Sequence, residues 1–259
     1  METDNASRYY RLSLLALLVL TGWSSPVIST THATRKVLVL NTAFIHLFSN
    51  KKQTGFADRI VNEALNRIGY NLESVHLPAE RALINANAGI GDGDLLRIAG
   101  LQKIYPNLIR VPEKIMDIEF VAFTRHASFP VSGWQSLKPW SVAIITGWKI
   151  LEQNITETEE LTKVKNADLL FTLLLKDRAD VIVYSRWLGL AYIKQHNLKS
   201  IKMLNPPLDR RSVYVYLYKK YRYLVPKLAA SLRTMKQDGS YHHIFEKVLA
   251  PLKQSRNHD

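Results

Sequence analysis

The stretch LPAERALINANAGIGDGDLLRI (Leu77–Ile98) decides the fold, because it contains a complete helix, turn and strand in sequence. Pro78 is typical of a first helical turn, and Gly89 of a helix end. The segment LLRI that follows the turn has the apolar composition of a short strand. The apolar residues between Pro78 and Gly89 recur at helical spacing and predict the inner face: Ala79, Ala82, Leu83 and Ala86.

The segments upstream of this stretch have the same alternating character. KVLVLNT (Lys36–Thr42) is rich in β-branched residues and leucine and predicts a buried strand. TGFADRIVNEALNRIGY (Thr54–Tyr70) has apolar residues at three- and four-residue steps and predicts an amphipathic helix, with Gly69 as its C-cap. NLESVHL (Asn71–Leu77) predicts a second strand. Strand, helix, strand and helix in this order indicate an α/β sheet with parallel strands.

The glycine-rich segment GIGDGD (Gly89–Asp94) does not fit a cofactor or calcium loop. In a dinucleotide fingerprint the glycines follow a strand and open a helix, whereas here they follow a helix and lead into a strand. A calcium loop would need an oxygen ligand, a glycine and a closing glutamate where Leu96, Arg97 and Lys103 stand. The segment predicts a helix C-cap and a tight turn, and we expect neither a cofactor nor a metal ion.

The middle and the end of the chain repeat the alternation of strands and helices. The sequence predicts a helix that begins near Trp148, another that ends near His196, and further helices over residues 167–176, 223–237 and 240–249. Together these elements predict a second, smaller α/β unit and a returning C-terminal strand. The strand-like segments are NLIRVPEKI (Asn107–Ile115), DIEFVAFTR (Asp117–Arg125), WSVAIITG (Trp140–Gly147), ADVIVYS (Ala179–Ser185) and SVYVYLYKKY (Ser212–Tyr221).

The N-terminus has the pattern of a secretory signal. Arg8 and Arg11 precede the apolar run LSLLALLVL (Leu12–Leu20), and small residues follow up to Ala33. An uncleaved membrane anchor is the alternative, but the run is shorter than the ~20 residues that a bilayer span needs. We therefore expect residues 1–33 to be a signal peptide that is removed, and the mature chain to reside in a bacterial periplasm.

Composition narrows the classes of function. The 259 residues include no cysteine, which excludes a disulfide, a thiol nucleophile and a zinc-thiolate site. The formal net charge of +13 suits nucleic acid, an anionic membrane surface or an acidic ligand. Export disfavours nucleic acid, and the basic residues are scattered, which is typical of a solvated cationic surface. The eight histidines show no metal-ligand spacing.

Three ordered stretches resemble the extracellular solute-binding proteins of family 3, which serve ABC importers and include the polar amino-acid binders. The first is the segment from Leu77 to Ile115, with its Pro, Arg, Ala-Leu, Asp-Gly and Tyr-Pro-Asn-Leu elements. The second is EFVAFTR (Glu119–Arg125), which is similar to a strand that crosses the hinge. The third is VYLYKKY followed by MKQDGSYHHIFEK, and with GFADRIVNEAL the likeness covers nearly all of the mature chain.

This resemblance implies an α/β fold of the type II periplasmic-binding-protein class, with two lobes, each a mixed sheet flanked by helices. Lobe one would comprise residues 34–124 and 213–259, and lobe two, inserted between them, residues 125–212. Two hinge crossings are expected, near residues 123–125 and 211–213. Ligand would bind in the cleft between the lobes, and closure about the hinge would signal the loaded state to a permease.

Ligands of open α/β sheets bind beyond the carboxyl ends of the strands, which gives the candidate site residues. An arginine at a helix N-terminus is disfavoured by the helix dipole, so Arg81 is better explained by a ligand carboxylate. The alternative is a structural ion pair of Arg81 with Glu80 or Asp94, and Arg97 carries the same two interpretations. In lobe one the candidates are Asn41, Thr42, Phe44, Glu80, Arg81 and Arg97, and the crossing strand adds Thr124.

In lobe two, Thr146, Gly147 and Trp148 follow a strand, where free amide groups and a hydroxyl can hold an anionic or carbonyl group. The resemblance implies an acidic residue after VIVYS, where amino-acid binders hold the ammonium group. Tyr184, Ser185 and Arg186 stand there instead. This departure weakens the case for an ordinary α-amino acid and leaves an anionic or neutral polar solute open.

The leading expectation is a monomeric periplasmic binding protein, not an enzyme, that delivers a small polar, carboxylate-bearing solute to an ABC permease. Two alternatives remain open at this point. One is a dehydratase-like enzyme on the same scaffold, with Glu80 or Glu119 as its acid or base. The other is a ligand-sensing partner of a membrane receptor.

Overall fold

The computed structural model describes residues 35–44 and 46–253. The predicted signal peptide lies outside the described residues. Within the described ranges, no helix combines the length and the apolar character needed to cross a membrane.

Ten strands and seven α-helices form in the described part of the chain. The strands are β1 (Lys36–Thr42), β2 (Tyr70–His76), β3 (Gly93–Ile98), β4 (Leu108–Arg110), β5 (Met116–Thr124), β6 (Ser141–Ile145), β7 (Glu160–Val164), β8 (Val181–Ser185), β9 (Lys202–Met203) and β10 (Asp209–Tyr218). The helices are α1 (Phe56–Asn66), α2 (Ala79–Ala88), α3 (Lys149–Asn154), α4 (Ala167–Leu175), α5 (Arg186–Gln195), α6 (Val225–Gln237) and α7 (Ser240–Val248). Short 3-10 segments cover Leu101–Lys103, Trp134–Leu137, Lys219–Leu224 and Ala250–Leu252.

All ten strands belong to one mixed sheet with the order β2-β1-β3-β10-β5-β8-β6-β7, in which β4 pairs with β10 and β9 with β5. Parallel pairs occupy both ends, since β1 runs parallel to β2 and β3, and β6 runs parallel to β7 and β8. The central pairs are antiparallel. The prediction of parallel strands is therefore confirmed at each end of the sheet and not at its centre.

Strands β5 and β10 connect the two ends of the sheet. β5 pairs with β10 over Met116–Phe120 and with β8 over Phe120–Thr124. β10 pairs with β5 over Asp209–Val213 and continues along β3 and β4 as far as Tyr218. Each of these strands therefore belongs to both halves, and the lobe boundaries derived from the resemblance remain a prediction.

The helices cover the sheet as two groups. α1 packs against β2, α6 and α7, whereas α4 packs against β6 and β8, and α5 against β5 and β8. α2 covers a small separate core that contains two tyrosines: Leu83, Ala86, Tyr105, Leu108 and Tyr216. This small core therefore packs beneath α2, whose first turn supplies two of the candidate residues, Glu80 and Arg81.

The predicted elements are largely confirmed, with the following differences. The predicted strand over residues 107–115 is shorter, because β4 covers only Leu108–Arg110, and residues 219–221 of the predicted last strand belong to a 3-10 segment. Ala79 is exposed, so the predicted inner face of α2 is wrong at its first residue. Gly69 is not the C-cap of α1; that position is Arg67, and Gly69 lies in a tight turn whose amide donates to Asn66. β7 and β9 were not predicted. β9 has only two residues, too few for an alternating pattern to be visible.

The turn GIGDGD is confirmed as the C-terminus of a helix. Gly89 caps α2 in the left-handed conformation, with φ of 77°, which favours glycine. One carboxylate oxygen of Asp92 accepts a hydrogen bond from the Val39 amide at 2.8 Å, so the turn is fastened to β1.

Candidate ligand-binding site

The first group of candidate residues lies where β1, β2 and β3 end. β1 is parallel to both neighbours, and α2 begins at Ala79, three residues after β2 ends at His76. The carboxyl ends of neighbouring parallel strands meet at one edge of a sheet. The topology thus brings the candidates of lobe one to a common edge.

The candidate residues at the end of β1 contact other residues of the chain. Asn41 is buried, and its side-chain amide donates to the Ala82 carbonyl at 3.1 Å. Thr42 is also buried, and its hydroxyl accepts a hydrogen bond from the Phe44 amide at 3.1 Å. Phe44 itself is half-buried and packs edge-to-face on Phe48. Asn41 and Thr42 are therefore buried supports of the sheet edge, whereas the side chain of Phe44 is partly accessible.

The first turn of α2 presents two charged side chains to solvent, Glu80 and Arg81. Glu80 accepts a hydrogen bond from the Tyr105 hydroxyl at 2.8 Å. The side chain of Arg81 makes no hydrogen bond or ion pair with any described residue, so the alternative of a structural ion pair with Glu80 or Asp94 is not observed. Arg81 is an exposed guanidinium at a helix N-terminus, where the dipole opposes it.

Arg97 has partners on two elements. Its Nε lies 3.0 Å from Oδ1 of Asp94, and its Nη2 donates to the Ala79 carbonyl at 3.0 Å. Asp94 is fully buried, and burial raises the pKa of its carboxyl to about 6, although Arg97 and the Leu96 amide favour the charged form. Arg97 thus forms the structural ion pair with Asp94 that was one of its two interpretations. Its side chain remains 13% exposed at the sheet edge.

A second group of candidates lies at the ends of β6 and β8. Thr146 and Gly147 are exposed directly after β6, and Gly147 has φ of 86°, the left-handed conformation that favours glycine. The Gly147 amide donates to Oε1 of Glu152 at 3.0 Å, and this bond is the main cause that lowers the pKa of Glu152. The turn therefore already holds a carboxylate, one supplied by the chain itself.

Aromatic rings line this second group. Trp148 packs on Tyr184 with ring centroids 5.0 Å apart, and edge-to-face on Phe120 at 6.1 Å. Tyr184 is almost fully buried, which raises the pKa of its hydroxyl to about 12. Ser185 is also buried, and its hydroxyl has no hydrogen-bond partner among the described residues. Phe120 was not predicted, because an apolar residue in a crossing strand carries no sequence signal for a site.

The region where an acidic residue was expected holds a cluster of ion pairs. Glu119 accepts from Nε of Arg186 and from Nη2 of Arg210. Nη1 of Arg186 donates to the Met203 sulfur at 3.6 Å, and Nη2 donates to the Asn205 side chain at 2.9 Å. Arg186 is therefore fastened by neighbours from β5 and from the loop after β9. Within residues 35–44 and 46–253, no three His, Asp or Glu side chains are arranged to hold a metal ion.

Thr124 does not join either group. It is buried beside Val181, the first residue of β8, and its hydroxyl accepts from the Ala127 amide at 2.9 Å. Ser185 is the last residue of β8, so the two positions are separated by about 13 Å of strand. In the described part of the chain, no hydrogen bond or ring contact joins the first group to the second.

Comparison with known proteins gives one related sequence and many related structures. No family model matches the chain. An uncharacterised protein from Shewanella oneidensis is 28% identical over 203 residues, which cover 75% of this chain and 76% of that protein.

Two solved structures decide the fold. The ligand-binding core of GluR0 in complex with L-glutamate matches with a TM-score of 0.70 and 12% identity, over 83% of this chain and 99% of that one. The substrate-binding protein of an amino acid ABC transporter matches with a TM-score of 0.60 and 22% identity, over 83% and 99% of the two chains. The chain has the type II periplasmic-binding-protein fold.

Proposed function

We propose that this chain is a periplasmic solute-binding protein that captures a small, polar, carboxylate-bearing solute and delivers it, as a monomer, to an ABC permease. Residues 34–124 and 213–259 would form lobe one and residues 125–212 lobe two, with β5 and β10 as the crossing strands. The predicted signal peptide would direct the chain to the periplasm. Similarity to the binding protein of an amino acid ABC transporter supports this role.

The observation that carries the proposal is the unpaired guanidinium of Arg81. This guanidinium opposes the dipole of its own helix and has no partner among the described residues, so no ion pair within the fold accounts for its charge. A ligand carboxylate would supply the missing partner through bidentate hydrogen bonds. Arg97 lies at the same edge and adds a second, partly exposed guanidinium.

The second group supports a ligand with a hydrogen-bonding head group and an apolar or planar portion. The turn at Thr146 and Gly147 offers a hydroxyl and a backbone that accommodates a carboxylate, as Glu152 demonstrates. The half-buried ring of Trp148, packed on the buried ring of Tyr184, offers an aromatic surface. The carboxylate of Glu119, which pairs with Arg186, is also held by Arg210, so an ammonium group would have little to bind there.

The dehydratase-like alternative has weaker support from the same contacts. Glu119 pairs with Arg186 and Arg210, and Glu80 accepts a hydrogen bond from Tyr105. A general base must reach the proton that it abstracts, so both carboxylates would first have to leave these partners. The receptor-partner alternative uses the same ligand site and differs only in the protein that reads the closed state.

A thermal-shift screen tests the proposal. The purified protein is heated with a panel of L-amino acids, organic acids and small peptides, and each carboxylate is compared with its methyl ester. We expect a saturable rise in melting temperature for a carboxylate-bearing compound and none for its ester. A panel without any shift would contradict the solute-binding role, and consumption of the bound compound would favour the enzyme.

A further inference from the structure

The buried carboxylate of Asp94 forms an ion pair with an arginine at the candidate site. Asp94 is fully buried under α2, and its Oδ1 lies 3.0 Å from Nε of Arg97. The second carboxylate oxygen, Oδ2, has no hydrogen-bond partner in the described part of the chain. An incompletely satisfied buried carboxylate is costly, and such a group needs an explanation.

A β-bulge brings the two side chains together. Side chains three residues apart in a regular strand point to opposite faces, so Asp94 and Arg97 would not meet. Arg97 stands opposite Tyr214 and Asp94 opposite Tyr216, so three steps along β3 correspond to two steps along β10. The extra residue of β3 turns both side chains toward α2. Bulges often re-aim a side chain beside a functional site.

Arg97 in turn contacts the segment that carries the other candidate residues. Its Nη2 donates to the carbonyl of Ala79, the first residue of α2, and Glu80 and Arg81 follow directly. The side chain thus spans from a buried carboxylate to the exposed start of a helix. Any anion that reaches this edge competes with Asp94 for the charge of the same guanidinium.

We propose that Asp94 is a positioning residue that holds Arg97 at the sheet edge, and that its protonation state regulates how strongly Arg97 attracts an anionic ligand. This inference rests on the proposed function, because it assigns regulation to the same site. Charged Asp94 would neutralise Arg97, and protonated Asp94 would leave the positive charge of Arg97 free for the ligand. A bound carboxylate would conversely favour protonation of Asp94, since the two effects are linked.

The groups around Asp94 allow this regulation. On β3 the charged neighbour is Arg97, and on β1 the register neighbour is the uncharged Asn41. Other titratable and charged groups on the elements packed around this site are Tyr214 and Tyr216 on β10, Arg110 on β4, Tyr105 before β4, and Glu80 and Arg81 on α2. Tyr105 and Tyr216 stay neutral, because burial raises the pKa values of their hydroxyls further. Arg97 is therefore the cation in direct contact with Asp94.

Nuclear magnetic resonance of the labelled protein tests the proposal without a native ligand. The side-chain carboxyl carbon of Asp94 and the Nε–H group of Arg97 are followed from acid to neutral pH. Acetate serves as the carboxylate probe, with sodium chloride at equal ionic strength as the reference. We expect both signals to change with one midpoint near the Asp94 pKa of about 6. Acetate should raise that midpoint, and the rise should saturate as the acetate concentration increases.

Two variants separate positioning from folding. In Arg97→Gln the titration midpoint of Asp94 should rise and the effect of acetate on it should vanish. In Arg97→Lys the midpoint should rise less, and part of the acetate effect should remain. Backbone amide spectra report whether each variant is folded. The proposal would be overturned if the Asp94 and Arg97 signals changed at different pH values. It would also be overturned if the Asp94 midpoint were the same in acetate and in chloride. A panel of solutes that fails to bind while the two signals still titrate together would contradict the solute-binding role alone.

Discussion

Replacing Asp94 by asparagine gives the most quantitative prediction from the structure. Burial raises the pKa of Asp94 from the ordinary value of 3.8 to about 6. A carboxyl group whose folded pKa is raised binds its proton more tightly in the folded state. Its contribution to stability is therefore fully present below the unfolded pKa and is lost as pH rises through the folded pKa. The pH window for this effect runs from 3.8 to about 6.

The difference of about two pKa units corresponds to about 3 kcal/mol between the fully protonated and fully ionised limits. Asparagine has the same shape and no proton to lose in this range. The advantage of Asp94→Asn over the wild type should therefore grow by about 2 kcal/mol between about pH 4.5 and about pH 7.5. The attraction of Arg97 for the charged carboxylate is already included in the folded pKa of about 6, so loss of the ion pair adds no separate change to this difference.

Urea denaturation of both proteins at several pH values measures this quantity, because the free energy of unfolding extrapolates linearly to water. Subtracting wild type from variant removes the titration of distant groups that the two proteins share. Glu73→Gln, which removes an exposed carboxylate from β2, is the matched control. A difference between Asp94→Asn and wild type that stays constant with pH would refute the assignment of a raised pKa to Asp94.

Three further substitutions test the packing of the core and the second group of candidate residues, at the ends of β6 and β8. Gly189→Ala should destabilise the protein by about 1–3 kcal/mol in urea denaturation, because a methyl group there would lie 2.2 Å from the buried ring of Phe123; an unchanged midpoint would contradict this packing. Ser185→Ala should stabilise the unliganded protein by about 1 kcal/mol, because it removes a buried hydroxyl that has no described hydrogen-bond partner. Calorimetry should detect weaker ligand binding in the same variant. Gly147→Ala should lower the melting temperature by an amount equivalent to about 1 kcal/mol, because φ of 86° is strained for alanine; equal melting temperatures would exclude that strain.

The alternation of strands and helices was visible in the sequence because each element has a clear apolar period. β1 occupies the predicted residues, and α2 ends at the predicted glycine. The antiparallel centre of the sheet was not predictable from these periods, because a strand's pattern shows which residues are buried and not the direction of its neighbour. The short strands β7 and β9 carry too few apolar residues for a pattern.

The candidate site was predictable only as a set of positions after strands. Arg81 and Arg97 could be selected because each is a charged residue at a strand or helix end. Their different environments could not be predicted, since the contact of Arg97 with Asp94 depends on a bulge that breaks the two-residue period of β3. The ion pairs of Glu119 with Arg186 and Arg210 likewise join three elements that are remote in sequence.

The central claim, that Arg81 binds the carboxylate of a solute, is tested most directly by calorimetric titration of three proteins with the compound that gives the largest thermal shift. The proteins are the wild type, Arg81→Ala and Arg178→Ala; Arg178 is also an exposed arginine but precedes β8, at the opposite edge of the sheet. We predict that Arg81→Ala weakens binding by about 10- to 100-fold, the value of hydrogen bonds to a charged group, and that Arg178→Ala leaves it unchanged. Equal affinity of the wild type and Arg81→Ala would contradict the account.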